Sequence, residues 1–101
     1  MELSIETFEA SIEDESPPEG MSSALKALWW DAKGDWHKAH KLAQSQKDAG
    51  GFWVHAYLHR VEGDDSNAGY WYSRAEQRHS AAEHQDEWRE IAIELLKNEE
   101  R

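Results

Sequence analysis

The chain has 101 residues, six of them tryptophan and none cysteine, with 21 acidic against 11 basic side chains and a formal net charge of −10. Its length allows one domain, and the absence of cysteine excludes disulfides and thiolate metal sites, so the expected setting is reducing and cytoplasmic. No basic stripe exists to neutralise phosphates, which argues against nucleic acid and against an anionic membrane surface as partners.

No apolar run approaches the length of a membrane span, and the first residues lack the basic start and apolar stretch of a signal peptide. Residues 1–20 carry seven acids (Glu2, Glu6, Glu9, Glu13, Asp14, Glu15 and Glu19) and no Lys or Arg. Ile5, Phe8 and Ile12 keep a three-to-four spacing that fits one short helix, and Pro17-Pro18 and Gly20 break it. This segment is read as an acidic N-terminal unit, weakly tied to a helical domain over residues 21–101.

From there the periodicity is helical throughout. Ser22 or Ser23 offers an N-cap to a helix whose apolar stripe is Leu25, Leu28, Trp29 and Ala32. Gly34 ends it, and Asp35 caps a second helix bearing Trp36, Ala39, Leu42 and Ala43. Asp48-Ala49-Gly50-Gly51 reads as a turn. Phe52 to Glu62 is apolar on most sides, as expected of a central helix. Gly63 stops it, and Asp64 caps a helix with Ala68, Trp71, Tyr72 and Ala75 on one face. In the last helix Trp88, Ile91, Ala92, Leu95 and Leu96 form one stripe, behind a capping box of Ser80 and Glu83. Its other face, with Asp86, Glu87, Glu90 and Glu94, reads as solvated.

Gly34-Asp35 followed by Ala39 recurs as Gly63-Asp64 followed by Ala68, an offset of 29 residues. Leu25 then matches Val54, Ala27 matches Ala56, Leu28 matches Tyr57, Trp29 matches Leu58, and Leu42 matches Trp71. Gly34-Asp35-Trp36 with Ala39, and Gly63-Asp64 with Ala68, Tyr72 and Ala75, resemble the tetratricopeptide repeat over roughly residues 22–78. That resemblance implies an all-α fold of two antiparallel helical hairpins, sealed by the C-terminal helix. The sequence departs from the pattern in four ways. The period is shorter than the usual length of about 34, no Pro closes either copy, His55 stands where leucine is expected, and Gln46 takes a small-residue position. The strings ALWWDAKGDWHKAH, WVHAYLHRVEGD and NAGYWYSRA are also similar to a family of small uncharacterised bacterial proteins, which implies a fold and no mechanism.

Two sets of residues invite function. In the repeat, one face of each first helix lines a groove; by matched positions that face carries Trp53, Tyr57, Arg60 and Val61, and Ala24, Leu28, Asp31 and Ala32 in the first copy. Tyr70 and Arg74 extend the aromatic and cationic set on the adjacent helix, and such residues commonly anchor interfaces. The same side chains also suit a core. The second set is His55 and His59, one helical turn apart, with Glu62 three residues on, a spacing that can supply zinc ligands. The competing reading has both imidazoles hydrogen-bonded within the fold, and it is the one preferred on sequence. His37 and His40 form another same-face pair, read as exposed. No nucleophile elbow or phosphate loop is present, so no enzyme and no cofactor are expected. The leading expectation is a protein-interaction module for a peptide, a protein or a second copy of itself. The alternative is a metal or small-ligand domain centred on His55 and His59.

Overall fold

The computed structural model describes residues 3–99, and among these the chain is all-helical, with six α-helices and no strand. The helices are α1 (Ile5–Ala10), α2 (Ser23–Ala32), α3 (Trp36–Ser45), α4 (Ala49–Val61), α5 (Asp65–Ala75) and α6 (His84–Glu99), with a 3-10 turn over Ser11–Glu13 after α1.

Short polar side chains start five of these helices. Ser4, Ser22, Asp35, Asp48 and Asp64 each accept a backbone N–H from the first turn of the helix that follows. The turns after α2 and α4 are built alike. Gly34 (φ 89°) donates to the carbonyl of Asp31 while Asp35 donates to that of Trp30; Gly63 (φ 90°) donates to Arg60 while Asp64 donates to His59. Both are Schellman turns, in which a left-handed residue lets the chain reverse while the last carbonyls stay satisfied. The helix α2 packs on α3 and α4 on α5 across these turns. Alanines make close approach possible: Ala39 and Ala43 on α3, and Ala68 and Ala75 on α5, are fully or almost fully buried.

Between α3 and α4 the expected turn is not there. Asp48 is the N-cap, and Ala49, Gly50 and Gly51 form the first turn of α4. Gly51 is needed because a Cβ there would stand 1.8 Å from the backbone oxygen of Gln46. Gln46 itself explains why a small residue is missing at its position. Its Oε1 accepts the N–H of Ala24 at 2.8 Å, and its Nε2 donates to Asp48 at 3.0 Å, so it ties the starts of α2 and α4 together.

The N-terminal segment makes contact with α2 and α6. Phe8 is completely buried and stacks on Trp88 of α6, with ring centroids 5.6 Å apart. The Trp29 indole donates to Ser11 Oγ (3.1 Å) and the Trp88 indole to the Leu28 carbonyl (2.9 Å). Lys33 reaches the carbonyls of Ile12 and Asp14, and Arg89 pairs with Glu6 and Glu9. Burying one phenylalanine contributes about 2–3 kcal/mol.

The helix α6 begins at His84, and the Ser80–Glu83 capping box does not form: Ser80 Oγ accepts only the N–H of Ala82. Nor is the acidic face of α6 uniformly solvated. Glu87 is 1% exposed, held by Arg60 Nη1 at 2.9 Å and by the Tyr72 hydroxyl at 2.5 Å.

Candidate metal centre

His55 and His59 project one turn apart from the most buried stretch of α4, and both are buried. The neighbouring helix α3 contributes His40, half-buried, whose Nε2 lies 3.0 Å from that of His55. One ligand atom from each of the three rings falls within 4.8 Å of those of the other two. His40 thus joins the site, while its partner in sequence, His37, is exposed as expected.

The rings are held rather than free. His55 stacks on Trp71 of α5 at 4.0 Å and His40 stacks on Trp36 at 4.9 Å. Trp36 is itself fixed by its indole N–H, which donates to the Leu58 carbonyl at 2.8 Å. Glu62 Oε2 meets His59 Nδ1 at 2.6 Å. A carboxylate on Nδ1 orients the imidazole and leaves Nε2 as its free donor atom. A second grouping, His59 with Glu62 and Asp64, lies at the outer end of the same helix.

Electrostatics favour the neutral form of the rings, in which the 3.0 Å contact of His40 Nε2 with His55 Nε2 is a hydrogen bond between one donor and one acceptor. Burial lowers the His55 pKa to about 4, and the nearby His40 and His59 add to the shift. Burial also lowers that of His40, with His59 contributing in the same direction. Neutral imidazoles are the form that ligates metal. Nitrogens on a tetrahedral zinc, with bonds of about 2.0–2.1 Å, sit about 3.3 Å apart. The 3.0 Å between His40 and His55 is already near that value. Three protein ligands would leave one coordination position for water or a small ligand.

The residues expected to bind a partner are dispersed. Tyr57 is buried, its hydroxyl donating to Asp31 at 3.2 Å. Burial raises the pKa of Asp31 and that of Tyr57. Ala24 and Leu28 are in the core, and Arg60 is spent on Glu87 and the carbonyl of Ala82. Trp53 is buried with one edge on a groove along α6, Val61 is half-buried, and Ala32 is exposed. The cavity beside Asp31 and Tyr57 is walled by Glu9, Ile12, Glu13 and Trp88, so the N-terminal segment and α6 border this face. Tyr70, 56% exposed, and Arg74 remain at the surface.

Sequence reasoning missed His40, Trp36 and Trp71 as parts of one site. The i,i+3 pair His37–His40 was the available signal; which of the two faces α4 depends on how the helices pack. No protein-family model, curated protein or solved structure matches the chain. Among the described residues no helix is long and apolar enough to cross a membrane.

Proposed function

We propose that this protein is a metal-binding helical domain that holds one divalent transition ion, zinc by preference, on His40, His55 and His59, with Glu62 orienting His59. The observation that carries the reading is the convergence of three ring-stacked imidazoles from two helices, one of them backed by a carboxylate. Imidazole donors suit zinc and its first-row neighbours. Binding rather than turnover is assigned, and the ion ties α3 to α4.

The test uses untagged protein, because added histidines would bind the same ions. Zinc in hundredfold excess over its dissociation constant should stabilise the fold by roughly 2.7 kcal/mol, a rise in melting temperature of about 10–20 °C. Substituting His40→Ala should remove that rise, and Glu62→Gln should weaken zinc roughly 10–100-fold. An unchanged melting temperature with zinc, or a full rise in the His40→Ala variant, sinks the reading.

A second reading, a protein-interaction surface, has one observation in its favour: among the described residues Tyr70 is the large apolar side chain left exposed, and Arg74 stands beside it. Two tetratricopeptide-like hairpins, α2–α3 and α4–α5, are proposed as the frame. Supporting them are the matched Schellman turns and the nearly equal backbone angles of the caps that follow, φ −105° and ψ 80° at Asp35 against φ −99° and ψ 78° at Asp64.

A further inference from the structure

The end of α3 and the facing sides of α4 and α5 enclose a cavity of about 320 Å³, with His55 in its wall. Its walls include Lys47, Phe52, His55, Trp71 and Arg74, and none of its lining residues is acidic. The chain as a whole has 21 acids against 11 bases. Three other cavities of this protein each carry a carboxylate, among them Glu90 and Glu94 along α6, Asp31 and Glu13 beside Tyr57, and Glu83 beside Arg60.

The cation at this cavity is prearranged. The Arg74 guanidinium lies 4.6 Å from the Phe52 ring centroid and 5.4 Å from that of Trp71, and donates to the Tyr70 hydroxyl at 3.3 Å. Aromatic faces on which it rests fix its plane and leave most of its five N–H groups free. Among the described residues no carboxylate lies within salt-bridge distance of Arg74 or Lys47. A planar guanidinium matches a carboxylate through two parallel hydrogen bonds, and a lysine beside it adds a second point charge. The aromatic walls suit a flat apolar body. The volume is at the low end for ligand sites, enough for a compact ligand.

We infer that this cavity is a binding site for a small aromatic carboxylate, its acid group on Arg74 and Lys47 and its ring among Phe52, Trp71 and His55. A phosphate ligand is disfavoured because no glycine-rich loop is present to surround its oxygens with backbone N–H groups. The cavity shares His55 with the metal reading but does not rest on it, since neither the charge nor the aromatic wall requires an ion.

Calorimetric titration in EDTA keeps zinc out of the result and separates the two readings. Benzoate is the probe, with benzamide as its uncharged analogue, cyclohexanecarboxylate as its non-aromatic one, and inorganic phosphate as the alternative anion. Benzoate should saturate the protein with half-saturation near or below about 1 mM, a level open to so small a ligand. Benzamide and cyclohexanecarboxylate should each bind at least about tenfold more weakly, a difference of about 1.4 kcal/mol. Arg74→Gln should weaken benzoate by about tenfold or more, and Lys47→Gln by less; both are surface changes, and melting curves establish that the variants fold. Benzoate without saturable binding, benzamide binding equally well, phosphate binding in its place, or full benzoate affinity in folded Arg74→Gln protein would each overturn the site.

Discussion

Glu87 shows what a single side chain can cost and contribute. A carboxylate with 1% exposure has given up its hydration, and Arg60 Nη1 and the Tyr72 hydroxyl replace it. The same contact holds the tyrosine proton: burial and the hydrogen bond to Glu87 raise the Tyr72 pKa. Arg60 and Tyr72 come from α4 and α5, so this one acid links three helices. Removing it leaves the guanidinium, whose side chain is 11% exposed, with the Ala82 carbonyl and no counter-charge. Glu87→Ala is therefore expected to cost roughly 3–5 kcal/mol, as for breaking other buried pairs. Urea denaturation measures this, and a loss below about 1 kcal/mol would show the pair to be dispensable. The residue was not legible in the sequence. It sits in an acidic stripe with Asp86, Glu90 and Glu94, and its partners lie 27 and 15 positions earlier.

At the scale of the elements, helix ends were far more legible than helix starts within glycine-rich or serine-rich runs. Gly34-Asp35 and Gly63-Asp64 combine a residue free to adopt positive φ with a capping carboxylate, and both turns form as that chemistry dictates. Gly50-Gly51 misled because glycine also serves close approach, here of Gly51 to the Gln46 carbonyl five residues earlier, at the end of α3. The end of α5 had no glycine to mark it. There Glu76, at φ 59°, takes the left-handed position, donating to the Ser73 carbonyl while Gln77 donates to that of Tyr72. This is a third Schellman turn, made by a residue that pays for its side chain with roughly 1–2 kcal/mol of backbone strain. Glycine relieves the strain but loses more entropy on folding. The net expectation for Glu76→Gly is a gain of about 0.5–1 kcal/mol, read as a higher urea midpoint at unchanged slope. A lower midpoint would mean that the Glu76 side chain contributes something the turn geometry does not show.

For the whole molecule, periodicity made the helical class and the order of the five longer helices readable, because a 3.6-residue apolar stripe is a local property. Docking between helices is not local. The burial of Phe8 against Trp88 and the meeting of His40 with His55 both depend on it, and neither could be read from spacing alone. Such docking has a global signature in the pH dependence of stability. His55 is faced by His40 from α3, by His59 on its own helix and by the Trp71 ring from α5, while Glu62 acts on His40 in the opposite sense. Its pKa falls from an ordinary 6.5 to about 4 in the folded protein. Above pH 6.5 both folded and unfolded chains hold it neutral, and stability is complete. As pH falls below 6.5 the unfolded chain takes up a proton that the folded chain refuses, so stability declines by up to about 1.4 kcal/mol per pH unit. The decline from this residue ends near pH 4, where the folded ring also protonates, after a loss of about 3 kcal/mol; His40, shifted in the same direction, adds to it. Urea titrations in EDTA between pH 7 and 4.5, on the native chain and on His55→Asn, cancel most of the contribution of the carboxylates. The native chain should lose about 2–3 kcal/mol more than the variant over that range. Equal losses would mean that His55 accepts its proton as readily folded as unfolded, and that burial does not hold this ring neutral below pH 6.5.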